Sequence, residues 1–525
     1  MTPDRPVSVL REVEHKFRVH GLFRVPDLTA GDAVSVVEEQ GTISLESAYF
    51  DTGDLRLARE GVTLRRRTGD DDEGWHLKLP VSGAGPTVRD ELRLPLAAGD
   101  PDTPPRALLD VVRAVLRHSP VRRVATLRTA RTRHLLHDAA DRAAAGLVDD
   151  TVRVVDGSGH VSAQFRELEL ELDERDSTPN DMVEQVTDAL VGAGAVGGEF
   201  VAKAVRALGP QAAAPPEVPE PDKVGPDDPA HAAIQAYLAR HTIALRDADL
   251  TFRRDPDGPW DSVHKMRVAA RRLRSGLRVF RPLLDRAWAD ELRDELAWLA
   301  RGMGDLRELE VLLDRLSDRL KDLSDDERPE DQGASVLAHV RRKKTQARRR
   351  ATRLLAADRY LDLHESLVTA AAAPPTTPAA DQPAGTVLPP LVAKAWKRLD
   401  RRVGAVLADE AAPGGAPDAE WHAARIAAKR ARYAAEAVAP VLGKDAAALA
   451  EQLERVTDIL GAHQDAADAA VAVRTIAAEV TDPSAGFVLG VLHAAEREDV
   501  RARRAEFAAV WPKVSRARWR RWLDP

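Results

Sequence analysis

Two acidic strand segments and two copies of a basic helix are the parts of this chain able to do chemistry. In Glu12-Val-Glu14-His-Lys16 the side chains alternate, so an extended strand puts Glu12, Glu14 and Lys16 on one face. Glu167-Leu-Glu169-Leu-Glu171 places three carboxylates on one face in the same way. Like charges stacked this densely repel unless something cationic sits among them. A hard divalent cation held by oxygen ligands is the obvious candidate. A half-exposed strand whose polar face meets water has the same pattern, so one acidic strand alone decides nothing. Basic strands accompany the acidic ones. Arg65 and Arg67 share a face, as do Arg131 and Arg133. Lys78 lies opposite Leu77 and Leu79, and Arg89 alternates with Glu91 and Arg93. Carboxylates to hold metal and guanidiniums to grip phosphate oxygens are the two halves of a metal–phosphate site.

The basic helix occurs as His264-Lys-Met-Arg267-Val-Ala-Ala-Arg271-Arg-Leu-Arg274 and again as His422-Ala-Ala-Arg425-Ile-Ala-Ala-Lys429-Arg-Ala-Arg432. At about 100° per residue, one histidine and three cations fall within an arc of roughly 80° in each copy, a stripe about 15 Å long. Single basic faces are usually solvated surface. Here the repeat keeps the charges and the histidine as well as the apolar positions, and a long polyanion is the simplest ligand for such a stripe. Neither histidine has a second ligand four residues on, so both are read as anion-binding or hydrogen-bonding groups rather than metal ligands. The run Arg341-Arg-Lys-Lys344 either extends this surface or meets water. Trp511, Trp519 and Trp522 read as core packing of a last helix rather than as membrane contacts.

Something must position these residues. A chain of 525 residues exceeds one compact core. With 44% hydrophobic and 31% charged residues it is folded and multidomain, and its net charge of −7 does not by itself advertise nucleic-acid binding. It contains no cysteine, which excludes disulfides, thiolate metal sites and a cysteine nucleophile. No apolar run reaches transmembrane length and the start has no apolar signal segment, so a cytoplasmic protein without membrane insertion is expected. Two proline-rich stretches read as extended, mobile linkers, 211–227 and 370–390. They divide the chain into 1–210, 228–369 and 391–525.

The first part alternates like strands at Val9–Val19, Val62–Arg67, Trp75–Leu79, Val88–Leu94, Thr126–Leu136, Ala144–Val148, Thr151–Val155 and Gln164–Leu172. Helical patterns appear at Pro105–His118 and Asn180–Ala193. Many antiparallel strands and few helices point to a barrel or an α+β sheet. The other two parts are helical throughout, each with one copy of the basic repeat. Each also carries a later matching signal, Gly304-Asp-Leu-Arg307-Glu308 and Gly461-Ala-His-Gln464-Asp465. Two related four-helix bundles about a pseudo-twofold axis are expected.

The first part resembles the CYTH, or triphosphate tunnel metalloenzyme, superfamily. Its Glu12-x-Glu14-x-Lys16 is followed by Ser47-Ala-Tyr49-Phe50-Asp51-Thr52, Leu64-Arg65-Arg66-Arg67, Trp75-His-Leu-Lys78, Leu147-Val-Asp149-Asp150 and Glu167-x-Glu169-x-Glu171, in the family's order. The resemblance implies an antiparallel barrel with a charged tunnel that handles a triphosphate with Mg²⁺ or Mn²⁺. Carried over, Glu12, Glu14, Glu167, Glu169 and Glu171 would hold metal, with Glu12, Glu14 and Lys16 as the catalytic set. Arg65, Arg67, Lys78, Arg89, Arg131, Arg133 and Lys203 would face phosphate. Ala202 stands before Lys203 where many relatives carry serine. The helical region resembles the CHAD domain, which implies binding of inorganic polyphosphate through His264, Arg267, Arg271, Arg274, His422, Arg425, Lys429 and Arg432, with association to polyphosphate granules. Inorganic triphosphatase activity is the leading expectation. Hydrolysis of thiamine or nucleoside triphosphates, adenylyl cyclase chemistry, and a non-catalytic polyphosphate scaffold stay open. Only 4% of residues are aromatic, which leans against organic substrates, and the basic helices lack interleaved aromatics for base stacking, which disfavours nucleic acid.

Overall fold

The computed structural model describes residues 8–81, 87–172, 179–198, 202–255, 261–322, 332–479 and 483–523. The chain forms two compact units, Met1–Glu217 and Val218–Pro525.

The first unit is a ring of antiparallel strands: β1 (Ser8–Val19), β2 (Val36–Asp51), β3 (Thr63–Thr68), β4 (Gly74–Pro80), β5 (Val88–Leu94), β6 (Arg122–His137), β7 (Ala143–Val155) and β8 (Val161–Leu172). Neighbours run β5-β4-β3-β2-β6-β7-β8-β1, and β1 pairs back onto β5. The first half of β1 lies beside β5 and the second half beside β8, with Val13 opposite both Val88 and Leu172. Closure removes the free edges of an open sheet. The short β9 (Val196–Gly197) adds a pairing at Phe17 and Arg18. Helices α1 (Arg56–Arg59), α2 (Arg106–Val111), α3 (Arg113–Leu116), α4 (Asn180–Gly192) and α5 (Lys203–Leu208) decorate the ring.

Alternation decides what faces in. Phe17, Leu168, Leu170, Leu147 and Leu136 point outward and pack under Met182, Val186 and Leu190 of α4. The intervening charged residues therefore point inward, and the apolar core of this unit lies outside the ring. Three expectations needed revision. β2 is a strand of 16 residues whose exposed, polar first half hid its alternation. The segments expected at Ala144–Val148 and Thr151–Val155 are one strand, because Asp149 and Asp150 sit in the ladder with arginine partners instead of making a turn. The helix expected at Pro105–His118 is two short ones, α2 and α3, meeting at Val112.

The second unit is helical: α6 (Ala230–Arg254), α7 (Asp261–Val279), α8 (Arg286–Gly302), α9 (Gly304–Asp322), α10 (Gln332–Leu355), α11 (Asp358–Ala372), α12 (Ala384–Glu410), α13 (Asp418–Leu442), α14 (Lys444–Glu479) and α15 (Pro483–Val514). Four rods make each bundle. In the first, α8–α9 and α10–α11 are rods broken in the middle; in the second, α14 and α15 run unbroken. The pseudo-twofold relation is visible at the helix starts. Ala230 N–H donates to the Gln382 carbonyl at 3.0 Å, and Ala384 N–H returns the bond to the Asp228 carbonyl at 2.8 Å. The two basic helices, α7 and α13, pack on one another, and one hydrophobic core runs through both bundles.

Parts of both proline-rich stretches make packing contacts. Glu217 accepts from Arg117 at 2.7 Å in the first unit, and Val218 is buried with Ala239 and Ala371 in the second. The second stretch shrinks to residues 373–383, because α11 runs on to Ala372 and α12 starts at Ala384, with Pro389 and Pro390 inside it. The terminal tryptophans are core residues: Trp511 stacks on Trp396 at 5.7 Å, and Trp519 and Trp522 pack against the same cluster.

Close helix approach depends on Gly276 of α7, where an added Cβ would lie 2.2 Å from the Tyr237 ring. Overpacking costs about 1–3 kcal/mol, and the helix propensity gained over glycine returns up to about 1. Gly276→Ala should therefore lower the urea midpoint of the helical unit; an unchanged midpoint means the contact relaxes freely.

Candidate functional site

The inward faces meet in a cavity of about 360 Å³. Nine cationic and six acidic side chains line it, an excess of three positive charges. Glu12, Glu14, Lys16, Arg65, Arg67, Lys78, Arg89, Arg131, Arg133, Lys203, Glu169 and Glu171 are all among them, brought together from six strands and α5. Arg93, Asp71 and Asp72 complete the charged lining.

Strand register makes the contacts. Lys16 lies opposite Glu169 and bonds it at 2.6 Å, with Glu14 at 3.1 Å. Glu12 is held by Lys78 and Arg93. Arg131 grips Asp150, its cross-strand neighbour, through two bonds of 2.7 and 2.8 Å. Lys203 at the start of α5 reaches Asp150, Glu167 and Glu169 at 2.7–3.0 Å. Glu14 and Glu171 face each other directly across β1 and β8. Glu171 has a long ion pair among the described residues, to Arg131 at 3.9 Å.

Electrostatics separates these acids. Burial works to raise the Glu169 carboxyl, but Lys16, Lys203 and Arg131 hold it well below the usual range. Glu14 is likewise lowered, burial being outweighed by Lys16 and Lys78. Burial wins at Glu171 and Glu12, whose carboxyls are raised. Arg67 is pushed down to about 10 by burial and by its neighbours Arg65 and Arg131.

Glu167 stands apart from its strand mates. It is buried beside Lys203 and Arg206, which bonds it at 2.6 Å, and it does not line the cavity. Of the aspartate pair, Asp150 points inward and Asp149 points out to Arg166. Sequence reasoning missed Asp70 and Asp72 of the β3–β4 hairpin, which pair with Arg133 and with Arg67 and Arg93. The acidic run 70–72 directly after a basic strand was the available signal.

In the helical unit a cleft of about 800 Å³ lies between the basic helices and α9 and α14. His264, Arg267, Arg271, His422, Arg425, Lys429 and Arg432 line it, joined by Arg307 and by the unforeseen Arg315. Gly304 opens α9 where Arg267 passes, 3.2 Å from where a Cβ would stand. His422 shares a 2.7 Å hydrogen bond with Gln464. Buried Nε atoms of Arg271 and Arg425 have no hydrogen-bond partner. Two expected residues differ. Arg274 falls outside the cleft, near Arg293 and Arg301. Arg432 lines it but is committed to Glu436 at 2.6 Å and to Glu454. Glu436 lies four residues on from Arg432 in the same helix, where the i,i+4 spacing was readable, whereas Glu454 arrives from α14 and Arg293 and Arg301 from α8.

The CYTH domain family matches residues 10–194 and the CHAD domain family matches residues 236–474. An uncharacterized protein of Mycobacterium tuberculosis, MT2285, is 32% identical over 531 residues, covering 98% of each chain. The chain belongs to the CYTH–CHAD family. Among solved structures, PptA from Streptomyces chartreusis is 28% identical, with a TM-score of 0.45, over 54% of this chain and 100% of that one. The CHAD domain of the plant Ricinus communis is 23% identical, with a TM-score of 0.45, over 56% and 94%. The CYTH family includes triphosphatases and cyclases, its fold binds triphosphates, and its tunnel enzymes use divalent metal ions. Among the described residues, no helix is long and apolar enough to cross a membrane.

The tunnel donors fit such an ion in chemistry: all are carboxylate oxygens, Glu14 opposes Glu171, and Glu171 is weakly neutralised. Among the described residues no three acids are already gathered at ligand spacing. Glu14 and Glu169 would have to give up Lys16 to bind metal.

Burial, with Arg425 and Arg271 alongside, pushes the Lys429 ammonium down to about 7. Unfolded lysine titrates near 10.4. Between those values the unfolded chain binds more protons, so this group makes stability rise with pH, and its penalty is full below pH 7. Lys429→Met should raise the melting temperature at pH 6, with the gain shrinking toward pH 10. A gain independent of pH in a melting series would refute the assignment.

Proposed function

We propose that the tunnel is a metal-dependent triphosphatase acting on inorganic tripolyphosphate, and that the helical cleft binds long-chain polyphosphate. The lining of the tunnel carries the first reading. Its cations outnumber its acids, which suits a polyanion, and four of its six acids sit together on β1 and β8, which suits a metal. Tyr49 is the one aromatic lining residue among those described, so little is offered to a base or a thiazolium ring. That favours an inorganic substrate over a nucleotide or thiamine triphosphate.

Glu12, Glu14, Glu169 and Glu171 would hold the ion, with Mg²⁺ or Mn²⁺ preferred for oxygen donors. Bound there, it would neutralise charge on the phosphate oxygens. Arg65, Arg67, Arg131 and Arg133 would bind and orient the chain, guanidiniums matching two oxygens at a time. Lys16 and Lys203 would add point charge as negative charge spreads over the equatorial oxygens. Water attacks the terminal phosphorus, the bridging P–O bond breaks, and the water's proton passes to a tunnel carboxylate. The closed wall limits access to the cavity mouths.

The cleft reading rests on Arg271, Arg425 and Lys429, crowded at one place with unpartnered buried N–H groups. A linear polyanion would replace their mutual repulsion with pairing.

Two outcomes follow. EDTA should abolish tripolyphosphate hydrolysis, and Glu14→Ala or Glu169→Ala should cost on the order of 10²-fold in kcat, as loss of charge-stabilising contacts does. Full activity in a Glu12→Ala, Glu14→Ala double variant would end the triphosphatase reading. Reversing Arg271, Arg425 and Lys429 to Glu should weaken polyphosphate binding and flatten its dependence on salt, since fewer counterions are released. Unchanged affinity across a salt titration would leave the cleft without that role.

A further inference from the structure

The two bundles share a fold, but differ at one set of related positions. The register that places His264 on His422 also places Arg272 on Arg430, Ser275 on Tyr433 and Arg278 on Glu436. The reciprocal bonds at Pro229 and Pro383 place Tyr237 on Leu391 and His241 on Ala395. On one side of the α7–α13 contact, Arg272 pairs with Glu436 at 3.1 Å. The Tyr237 hydroxyl donates to the Arg272 carbonyl at 2.8 Å, and His241 and Tyr433 are buried there. That side is filled and neutralised.

On the other side, leucine, alanine and serine replace three ring-bearing residues, and arginine replaces the glutamate. The outcome is a cavity of about 270 Å³, with Val279, Leu391 and Ala395 among its apolar lining and Arg278, Arg430, Lys394 and Arg398 as cations around it. None of these four cations has an acidic partner among the described residues. The nearby Asp290 is taken by Arg281 and Arg293, each at 2.5 Å. Burial and the neighbouring arginines, Arg430 first, push Arg278 down to about 10.

Packing does not demand this arrangement, because the related side shows the same backbone closing over a salt bridge. Cations gathered without acids repel and await an anion. Guanidinium forks around a small enclosed volume suit phosphate. No residue of the large cleft lines this cavity. We propose that it is a second anion site, taking a compact, multiply charged phosphate compound: free pyrophosphate, or the terminal groups of a polyphosphate chain.

Equilibrium dialysis of the full chain against inorganic pyrophosphate, without divalent metal, tests this. Arg278→Glu recreates the neutralised pair; Ser275→Tyr refills the space without changing charge. Each should lose one bound equivalent, or weaken it about tenfold or more, the loss expected for charged hydrogen bonds. Tripolyphosphate hydrolysis should be unchanged, since neither residue is in the tunnel. Repeating the titration with long-chain polyphosphate separates the sources. Weakening of both ligands indicates chain ends, and weakening of pyrophosphate alone indicates a free anion; either supports the site. Arg425→Glu with Lys429→Glu should spare the pyrophosphate equivalent, so failure of the cleft reading is seen separately. Identical pyrophosphate uptake in wild type and both variants overturns the proposal. So does an effect in Arg278→Glu with none in a folded Ser275→Tyr, because a diffuse field would then hold the anion. Should Ser275→Tyr not fold, Ala395→His fills the same space.

Discussion

Ionised groups removed from water must find opposite charge nearby, and in the first unit this rule acts inside a closed ring. Taking an ion out of water costs several kcal/mol after relaxation, which neighbours must offset. Glu169 is buried, yet its carboxyl lies far below the usual range because Lys16, Lys203 and Arg131 surround it. Antiparallel register places Lys16 opposite Glu169 and Arg131 opposite Asp150, and the start of α5 brings Lys203 to both acids. The apolar outer face follows from the same alternation. A one-residue slip in β1 would turn Phe17 into the tunnel and Lys16 into the core under α4.

The rule is obeyed unevenly within the tunnel lining. Glu171 faces Glu14 with a distant arginine for company, while Arg65 and Arg67 crowd the other wall. With its ion pairs intact the tunnel's acids are largely neutralised, and three positive charges are left over. Lys16 is central to that balance, since it ties together Glu14 and Glu169.

Much of this was legible in the sequence, for a physical reason. Strand alternation has a period of two, so Glu12, Glu14, Lys16, Glu169 and Glu171 could be assigned to one face without coordinates. The helical stripes were legible by the same logic at 3.6 residues per turn. What stayed hidden depended on where a strand or helix stops and what faces it. Glu167 has the pattern of its strand mates, but Arg206 on α5 claims it. Arg274 continues the stripe, but α7 runs on past Arg271, the last of its residues to line the cleft. Asp72 lies in a hairpin, where no periodicity points a side chain anywhere. Composition reports freedom in the unfolded chain, so the packing of Val218 with Ala239 and Ala371 could not be read from the proline-rich stretch that holds it.

Duplication explains how one helical scaffold hosts unlike surfaces. The packing that both copies need is apolar and lies on one side of each helix: Met266, Leu273 and Leu277 in α7 are buried. Residues at the contact between α7 and α13 are constrained differently, because each position meets its counterpart's neighbours rather than itself. Glu436 can neutralise Arg272 while the related Arg278 faces Arg430, without disturbing either bundle's core. A repeat that is symmetric in its backbone thus gains asymmetric electrostatics from a few substitutions along one contact. The chemistry that distinguishes the two sides is concentrated where the cores exert least control.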